Sequence, residues 1–407
     1  MESIDKQVSI YMQGSDFGDP QIKEMMATEL KQKLVEARAE GRPLRVYCGY
    51  DVTAPDIHLG HMAILRKMRK FQDFGHDVTF LIGTFTTLIG DPSDRDEARS
   101  EALEEEVKKN AQTYADQALK ILDPEKTTIR YNYEWLSKLS FADVISMASC
   151  FTVQQFLTRD RLRNRYDKND PIWLRELLYP LAQGYDAVHL QADVQIGGTE
   201  QLFNLMAGRR LQEALGQKPQ VCITYPVLVG TDGVQRMSKS LGNYIGVDEP
   251  PETIYGKTMS IGDDHIMTYF ESLTDTSDEE LAEFQKQLDS GVNPMVLKKR
   301  LAREIVTQLY DGKEADEAEK HFEKVVQKKE VPDDMPTINS SDANPDIRRL
   351  LVSNGLADSM SEVVRLINQG AVRVDGTKVT DFNVKIQNES VIQVGKRLFV
   401  KVILQDT

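Results

Sequence analysis

The chain has 407 residues, of which 40% are hydrophobic and 28% charged, and its formal net charge is −14. This composition is typical of a folded globular protein with enough length for two or three domains, and it excludes a disordered chain. The acidic balance also argues against a protein that coats nucleic acid non-specifically, because such binding depends on lysines and arginines that neutralise phosphates.

The sequence gives no sign of a membrane or secreted protein. No apolar stretch reaches the length of a bilayer-spanning helix, and the N-terminal segment lacks the layout of a signal peptide. We therefore expect a cytoplasmic location and no membrane partner. Cys48, Cys150 and Cys222 are far apart and have no CxxC spacing, which predicts reduced packing residues rather than disulfides or a zinc site.

The N-terminal part alternates predicted helices and strands. A helix over 20–40 ends at the breaker that begins with Gly41, and a short apolar strand follows over 44–50. Helical periodicity over 59–74 and a strand over 77–85 complete a β-α-β unit. Such a unit implies parallel strands joined by a right-handed crossover.

The same alternation continues to about residue 215. The further predicted elements are a charged helix over 96–122, a strand over 127–133, helices around 141–157 and 172–190, a strand over 192–198 and a helix to about Leu215. The predicted fold class is α/β, with a Rossmann-like doubly wound parallel sheet. Ligands of such sheets bind at the carboxyl ends of the strands, where the loops CGYDVT, GDPSD and QIGGTEQ would face one cleft.

The C-terminal part is organised differently. Beyond the segment QRMSKSLGNYIGVDEPPE the pattern is helical, over about 265–328, and the Pro/Asp-rich stretch 331–345 is predicted to be a linker because its composition cannot support a core. The last piece, 346–407, is predicted to be a small α+β domain. It has two helices followed by the strands AVRV, VKIQ and RLFVKVIL, with a tight turn at Asp375-Gly376.

The segment HLGH puts two histidines, His58 and His61, at the predicted start of a helix. A helix N-terminus attracts phosphate, Gly60 would let a ligand approach the backbone, and imidazole N–H groups would stabilise transition-state charge. An ordinary capped helix is an equal alternative. A zinc pair is another, although no clustered Cys, His or acidic partners accompany it.

The segment RMSKS at 236–240 is basic and rich in hydroxyl groups. Lys239 as a mobile charge, with Ser238 and Ser240 as donors, would let this loop close over a polyphosphate. Alone, the segment fits an exposed loop or a kinase site equally well. Together, in this order and about 180 residues apart, the two segments resemble the HIGH and KMSKS signatures of class I aminoacyl-tRNA synthetases.

The flanking segments narrow the resemblance. YCGYDVTAPDIHLGH, LIGDPS, YPLAQGYD and QIGGTEQLFN resemble those of the bacterial tyrosyl-tRNA synthetase family over most of the first 245 residues. The resemblance implies that L-tyrosine and ATP form tyrosyl-adenylate and pyrophosphate, and that the tyrosyl group then passes to the 3′ end of tRNA(Tyr). It also implies a homodimer, Mg²⁺ carried by ATP, no bound prosthetic group, no metal site on the protein and no DNA partner.

The resemblance also implies roles for individual residues. Those that would bind tyrosine are Tyr47 and Asp186 at the phenol, Asp91, Tyr179 and Gln183 at the α-amino group, and Gln201 at the carboxylate. Those that would bind ATP are Gly49, Asp51, His58, Gly60, His61, Arg236, Met237, Ser238, Lys239 and Ser240. Those that would act on the departing pyrophosphate or beside the nucleotide are Thr53, His58, His61, Arg95, Arg99 and Lys239.

The chemistry of selection agrees with these roles. A pocket that prefers tyrosine to phenylalanine needs buried groups that only a hydroxyl satisfies, so that the analogue leaves them unpaired. Asp186 as acceptor and Tyr47 as donor would provide this, although a purely structural role is the better explanation for either residue taken alone. The alternatives for the whole chain are the tryptophan enzyme of the same class and a synthetase-like RNA-binding protein without catalysis.

Three positions depart from the family pattern. Arg236 stands where lysine is frequent, Asp94 where glycine is expected and Glu200 where aspartate is common. The change to arginine keeps the charge and alters its geometry. Asp94 makes the assignment of Arg95 and Arg99 as a mobile arginine pair less secure. Glu200 could shift contacts near Gln201.

The C-terminal piece resembles the small RNA-binding fold shared by a ribosomal small-subunit protein, pseudouridine synthases and bacterial tyrosyl-tRNA synthetases. The candidate phosphate contacts are Arg348, Arg349, Arg365, Arg373 and Lys378. A solvated charged face is the alternative reading. The predicted domains are a Rossmann-like catalytic domain with a connective insertion over 1–232, a helical anticodon-side domain over 233–330, the linker over 331–345 and the RNA-binding domain over 346–407.

Overall fold

The computed structural model describes residues 2–52, 56–91, 104–324, 335–340, 342, 345–382, 384–395 and 398–404, without the side chains of residues 104, 106 and 108. The chain divides into two compact units, Met1–Asp311 and Gly312–Thr407. The finer domain boundaries drawn from the sequence remain predictions.

The first unit is built on a five-stranded parallel sheet with the order β3-β2-β1-β4-β5. Its strands are β1 (Arg45–Tyr50), β2 (Asp77–Ile82), β3 (Thr127–Tyr131), β4 (Val194–Gly198) and β5 (Val221–Tyr225). This sheet confirms the predicted Rossmann-like α/β class. β5 was not predicted, because a short strand that is buried along its whole length shows no alternation of apolar and polar residues.

The helices of the first unit cover the sheet and extend beyond it. They are α1 (Ile4–Met12), α2 (Pro20–Glu40), α3 (Leu59–Asp73), α4 (Thr86–Ile89), α5 (Glu104–Ala118), α6 (Tyr133–Leu136), α7 (Phe141–Ala148), α8 (Val153–Phe156), α9 (Asp160–Asp167), α10 (Leu174–His189), α11 (Leu202–Ala214), α12 (Pro251–Met259), α13 (Ile266–Leu273), α14 (Asp278–Asp289) and α15 (Pro294–Leu309). α2 shows how closely local signals set these bounds. The Asp19 side chain caps its first turn, and Gly41 ends it in the left-handed conformation at φ 66°.

The strand order creates a crevice beside β1. From β1 the chain runs to β2 and β3 on one side, and it later returns to place β4 and β5 on the other. The loops that follow β1 and β4 therefore diverge at this switch point and leave space between them. α3 begins at the β1 side of the crevice, and α10 packs closely against α11 next to β4.

The second unit contains a mixed five-stranded sheet with the order β6-β10-β9-β7-β8. Its elements are α16 (Gly312–Phe322), β6 (Thr337–Ser340), α17 (Ile347–Ser353), α18 (Met360–Asn368), β7 (Val372–Val374), β8 (Thr377–Lys378), β9 (Val391–Val394) and β10 (Leu398–Leu404). The predicted turn joins β7 to β8, where Asp375 has φ 48° and Gly376 has φ 78°. Two successive positive φ angles are those of the two-residue turns that suit antiparallel hairpins.

Two predictions for this region are wrong. The segment VKIQ, residues 384–387, forms no strand, although Ile386 is buried in the core of the unit. The stretch 331–345 is not a linker throughout, because Thr337–Ser340 forms β6, pairs in parallel with β10 and buries Ile338. A single short edge strand held by a partner far along the chain leaves little trace in local composition.

Three general features complete the description. None of the helices within the described ranges is long and apolar enough to cross a lipid bilayer. Cys48 and Cys222 are buried, Cys150 is half-buried, and all three thiols are free. In the same part of the chain, no group of three or more His, Cys, Asp or Glu side chains is arranged to hold a metal ion.

Candidate active site

A cleft of about 500 Å³ lies at the carboxyl ends of β1 and β4. Most of the residues singled out from the sequence line it: Gly49, Asp51, His58, Gly60, His61, Asp91, Tyr179, Gln183, Asp186, Gln201, Arg236, Met237, Ser238, Lys239 and Ser240. Tyr47 does not line it. Thr53, Arg95 and Arg99 lie outside the described residues, as does Asp94.

Two histidines cap the first turn of α3. His58 is the N-cap residue, and its Nδ1 atom accepts a hydrogen bond from the backbone N–H of Gly60 at 3.2 Å. His61 returns the interaction, since its Nδ1 atom accepts from the backbone N–H of His58 at 3.3 Å. The two rings stack with their centroids 3.9 Å apart. A capped helix and a ligand site are therefore compatible, because the same imidazoles cap the helix and line the cleft.

The surroundings of His58 and His61 keep both imidazole rings neutral, so that each ring can donate one hydrogen bond. Burial, with the nearby charges of His61, Lys239 and Arg236, holds the pKa of His58 well below its ordinary value. Burial and then Lys239 lower the pKa of His61 to about 4. Because each Nδ1 atom accepts a hydrogen bond, the hydrogen-bond pattern assigns the single proton of each ring to Nε2. An Nε2–H group of this kind can donate to a phosphate oxygen.

The lack of a side chain at Gly60 leaves room for the His58 ring in its capping position. A Cβ atom at position 60 would lie 3.0 Å from both Cε1 and Nδ1 of the His58 ring, which is tighter than ordinary contact. A larger residue would therefore push the imidazole out of its capping position. The absence of a side chain also leaves the backbone at the helix start open to the cleft that it lines.

The RMSKS segment lies against the start of α3. An isolated antiparallel bridge joins His58 to Gly246, a few residues beyond the segment. In this position the Lys239 ammonium is 2.5 Å from the Asp56 carboxylate. The hydroxyl oxygens of Ser238 and Ser240 are 3.0 Å apart. The structure thus brings together two motifs that are far apart in sequence, and it adds Asp56, which the sequence analysis missed.

A buried carboxyl group also lines the cleft. Asp186 is 2% exposed; its Oδ1 atom accepts from Trp135 Nε1 at 2.8 Å and its Oδ2 atom accepts from Asn132 Nδ2 at 3.2 Å. Burial raises the pKa of Asp186 to about 8, and Asp51 adds to the increase, while these two hydrogen bonds partly oppose it. The Asp186 carboxyl group can therefore accept a further hydrogen bond from a ligand in the cleft.

Tyr47 lies near Asp186 but is not among the residues that line the cleft. Its ring packs in an apolar cluster with Leu81 and Trp135. Its hydroxyl is buried and has no hydrogen-bond partner at normal distance, although the Gln220 side chain is near enough to offset slightly the effect of burial on its pKa. Burial first, and then Asp186, raise the pKa of Tyr47 well above its ordinary value.

A hydrogen-bonded chain connects Asp51 to Asp186. Thr86 Oγ1 donates to Asp51 Oδ1 at 2.7 Å and accepts from Asn132 Nδ2 at 3.0 Å. The Tyr179 hydroxyl donates to Asp51 Oδ2 at 3.1 Å. Since Asn132 also contacts Asp186, the side chain of Asp51 is linked to that of Asp186 through two intermediates. A linked polar network fixes the orientation of its members.

The side wall near β4 presents acceptors. Asp91 Oδ2 accepts from Gln201 Nε2 at 2.7 Å and from Asn204 Nδ2 at 3.4 Å. The Oε1 atom of Gln183 is buried without a hydrogen-bond partner among the described residues. Arg236 and Glu200, two departures from the family pattern, both line the cleft. A buried acceptor without a partner indicates that a donor arrives with a ligand.

The sequence analysis missed several residues that shape the site. Asn132 and Trp135 follow β3 directly, so they lie at the same edge of the sheet as the motif loops. Their position at the carboxyl end of the predicted strand 127–133 was the signal that could have identified them, and Thr86, which follows the predicted strand 77–85, had the same signal. Asp56 and Arg159 had no such signal, because their importance depends on contacts with distant residues.

The candidate RNA-binding residues all lie in the second unit. Arg349, Arg365, Arg373 and Lys378 are exposed, while Arg348 is half-buried. Arg348 Nε donates to Asp346 at 3.0 Å, and Arg365 donates to Glu362 at 2.8 Å. Arg373 and Lys378 are cross-strand neighbours on β7 and β8. Acidic neighbours therefore already engage two of the five candidates.

Comparisons with known proteins agree with this site. The family model for class I tRNA synthetases (W and Y) matches residues 39–327, and the model for the tyrosine–tRNA ligase SYY-like C-terminal domain matches residues 327–400. The tyrosine–tRNA ligase of Moorella thermoacetica is 49% identical over 92% of this chain and 91% of the relative. That of Oleidesulfovibrio alaskensis is 46% identical over 99% of this chain and 100% of the relative.

Solved structures share the fold. The tyrosyl-tRNA synthetase of Archaeoglobus fulgidus, solved in complex with L-tyrosine, superposes with a TM-score of 0.60 at 24% identity, covering 77% of this chain and 99% of that one. A truncated mitochondrial tyrosyl-tRNA synthetase of Aspergillus nidulans gives a TM-score of 0.62 at 22% identity over 79% of this chain and 93% of that one. The chain belongs to the class I tRNA synthetase family that contains the tryptophan and tyrosine enzymes.

Proposed function

We propose that this chain is a tyrosine–tRNA ligase that uses ATP, L-tyrosine and tRNA(Tyr) as substrates. Its relatives of that name match it over most of both chains. The observation that carries the proposal is the set of residues that line the cleft. This set combines neutral histidine donors and Lys239 with a buried carboxyl group, Asp186. Groups suited to a nucleotide and a group suited to a phenol therefore line the same cleft.

Activation needs no covalent enzyme intermediate. The tyrosine carboxylate attacks the α-phosphate of ATP, a new oxygen–phosphorus bond forms, and the bond to the β-phosphate oxygen breaks to release pyrophosphate. The chain contributes positioning and charge stabilisation, with His58 Nε2–H and the Lys239 ammonium directed at the leaving group. Mg²⁺ arrives with ATP, bound mainly by its phosphates. Thr53, Arg95 and Arg99 are assigned to the same task by resemblance.

Recognition of the substrate phenol falls to Asp186. Whether or not the carboxyl group carries a proton, it retains an acceptor site for a phenol hydroxyl beside its bonds from Trp135 and Asn132. Phenylalanine cannot donate this bond, so its binding leaves the buried acceptor unpaired and costs affinity. Tyr47 has an unpartnered hydroxyl close to Asp186, as a second phenol contact requires, but its ring lies behind the cleft wall.

The amino and carboxylate groups of the substrate fit the side wall. The buried Gln183 Oε1 atom has no hydrogen-bond partner within the described part of the chain, and Asp91 and Tyr179 also line the cleft, so an α-ammonium group would find acceptors there. Gln201 faces the substrate carboxylate. The remaining cleft residues, Gly49 and Asp51 among them, lie along the adenylate.

The second unit is assigned to tRNA. It matches the C-terminal domain model of tyrosine–tRNA ligases, and its exposed Arg349, Arg373 and Lys378 supply charge for phosphate contacts. Arg348 and Arg365 can join them once their acidic neighbours release them. After activation, the tRNA 3′ end takes the tyrosyl group from the adenylate and AMP leaves.

A homodimer is supported by exposed apolar side chains in the connective insertion. Phe141, Ile145, Val153, Trp173 and Leu174 are between 52% and 80% exposed, and their helices pack around one apolar cluster. Large exposed apolar side chains in one region are typical of an association surface. In sedimentation velocity the chain is expected to run as a dimer and the Leu174→Asp variant as a monomer. A variant that remains fully dimeric would place the interface elsewhere.

The decisive experiment is amino-acid-dependent exchange of labelled pyrophosphate into ATP. Tyrosine, phenylalanine and tryptophan are tested in parallel with the purified chain. Exchange with tyrosine alone is expected, since only its hydroxyl satisfies Asp186. Exchange with tryptophan would keep the class and change the substrate, whereas no exchange with any of the three would favour the non-catalytic reading.

A further inference from the structure

Arg159 approaches the cleft from the connective insertion. It precedes α9 as the N-cap residue, and its side chain is 10% exposed. The guanidinium lies over the Phe203 ring at 5.0 Å, and its Nη2 atom is 3.8 Å from Asp91 Oδ1. Arg159 does not line the cleft, whereas Asp91 does. Any effect of this cation on a ligand must therefore pass through Asp91.

The carboxylate that faces Arg159 is almost fully buried. The Asp91 side chain is 2% exposed, and its Oδ2 atom takes amide hydrogen bonds from Gln201 and Asn204. Its Oδ1 atom is the one that faces the guanidinium. A buried carboxylate is stable in its charged form only when a cation compensates it. The Nη1 atom of Arg159 is buried without a hydrogen bond, which is itself unfavourable and needs an explanation.

We infer that Arg159 is a positioning residue for the substrate ammonium: it keeps Asp91 ionised and holds its carboxylate toward the cleft before tyrosine arrives. The inference rests on the proposed function, because it assumes that Asp91 receives the α-amino group. It explains why an arginine is buried at this position with only part of its hydrogen-bonding capacity used. It also assigns a role in substrate binding to the connective insertion.

Asp186 shows what Asp91 would become without its cation. Both carboxyl groups are buried in the same cleft and both accept bonds from two neutral donors. Among the described residues, no arginine contributes to the environment of Asp186, and burial raises its pKa to about 8. Removing the charge of Arg159 would take a positive charge away from Asp91, and this change disfavours the charged form of a buried carboxyl group.

Other charges near Asp91 strengthen this need. Asp51, Asp186 and Glu200 line the same cleft, and Tyr179 lies close enough to Arg159 to affect the pKa of the guanidinium. Nearby carboxylates disfavour a further negative charge. Burial lowers the pKa of Arg159, and Asp91 followed by Tyr179 opposes the decrease. The cation is thus matched to an acidic surrounding that would otherwise favour a protonated Asp91.

Direct binding of two ligands tests the inference. Equilibrium dialysis compares L-tyrosine with 3-(4-hydroxyphenyl)propanoate, which keeps the phenol and carboxylate and lacks the ammonium group. The chain is compared with Arg159→Met, which keeps an apolar stem beside Phe203, and with Arg159→Lys, which keeps the charge. Because both ligands have the same phenol, any effect of Asp186 cancels in the ratio of their dissociation constants.

The expected change falls on tyrosine alone and depends on pH. A buried carboxyl group that lacks a neighbouring cation is more often ionised at high pH than at low pH. Arg159→Met should therefore weaken tyrosine binding by about tenfold or more at pH 6.5 and by clearly less at pH 8.5. The propanoate should bind as it does to the unchanged chain, and Arg159→Lys should remain within about threefold.

Three results would overturn the inference: an equal loss for both ligands, a tyrosine deficit that does not change with pH, or no deficit at all. The first would mean that Arg159 only supports the fold of the wall. The proposed function fails separately, and the inference falls with it, if the unchanged chain binds no tyrosine. Unaltered binding of the propanoate to Arg159→Met shows that the variant is folded.

Discussion

The cleft of the first unit and the basic side chains of the second unit hold their polar groups in different ways. In the cleft, Asp186 and His58 are buried, with each polar contact at a defined distance. In the second unit, Arg349 is exposed, and Arg365 is paired only with a neighbour on its own helix. The difference teaches that one site acts through preorganised groups and the other through summed weak contacts. Single substitutions should therefore matter far more in the cleft.

The largest effect is expected at His58. Asparagine matches the position of Nδ1, so His58→Asn keeps the acceptor for Gly60 and loses the Nε2–H donor. We expect exchange of pyrophosphate to fall by about 10²–10³-fold, which is the usual cost of removing one preorganised donor to developing charge. Thermal stability should change little.

His58→Gln is the matched control for this substitution. Glutamine reaches the Nε2 position but withdraws the cap acceptor, so it should lose about 1 kcal/mol of stability and retain more activity than asparagine does. If both variants lose activity in proportion to stability, His58 only caps the helix. The cleft would then not act through a preorganised donor at this position.

The second effect concerns Asp186. Asp186→Asn keeps the shape and replaces one carboxyl oxygen by an amide NH2 group, and we expect kcat/KM for tyrosine in pyrophosphate exchange to fall by about 30- to 100-fold, the cost of a mismatched buried polar pair. The KM for ATP should stay within about twofold, because Asp186 is assigned to the substrate phenol and not to the nucleotide. Equal losses for tyrosine and ATP would identify a structural residue.

The third effect separates the two units. Deleting residues 335–407 removes β6 together with its partner strand β10, whereas a deletion from residue 341 would leave β6 unpaired. We expect tRNA charging to fall at least about tenfold through the loss of phosphate contacts. Tyrosine-dependent exchange should be unchanged, because the cleft lies wholly in the first unit. Normal charging by the truncated chain would remove the proposed role of the second unit.

The fourth effect is a pH dependence of stability. The pKa of Asp186 is raised to about 8 in the folded chain, whereas it is about 3.9 in an unfolded chain. The unfolded form therefore loses its proton first as the pH rises from about 4, and the folded state is progressively destabilised up to about pH 8. Relative to the unchanged chain, Asp186→Asn should gain about 1–3 kcal/mol between pH 5 and pH 8 in urea unfolding. A constant difference would show that Asp186 is ionised in the fold.

The smallest effect is expected at Arg349. Arg349→Ala should weaken tRNA binding about threefold or less and reduce the slope of log affinity against log salt by about one, as expected for one lost phosphate contact. Lys6→Ala, an exposed charge in the first unit, serves as the control. A hundredfold loss at Arg349 would mean that the second unit also contains a preorganised site.

Local patterns in the sequence predicted much of this molecule. The cap and stop signals of α2 and the periodicity of α3 gave helix ends within one or two residues of those observed. The strand–loop–helix order predicted that the CGYDVT and QIGGTEQ loops meet, since carboxyl ends of parallel strands share one edge. These features depend on residues close in sequence or on a general rule of parallel sheets.

Features that depend on distant partners were not predicted. β6 forms because β10 offers an edge some sixty residues later, and Arg159 matters because it faces Asp91. Asp56 meets Lys239 only after the chain beyond RMSKS has bridged to His58. Tyr47, which the resemblance assigns to the pocket, packs in an apolar cluster and is not among the residues that line the cleft, so its role stays a prediction. A local sequence pattern does not show which residues that are far apart in the chain will come into contact.

The position of β10 bears on how the protein is made. β10 is the last strand of the chain, yet it lies inside its sheet, between β6 and β9. A ribosome has therefore synthesised every other strand of the second unit before Leu398–Leu404 emerges. Until then β6 has no partner and β9 has an open edge, and open edges invite pairing with other chains. A chain that stops before Leu398 would therefore contain the whole first unit and a second unit in which β6 and one edge of β9 are unpaired.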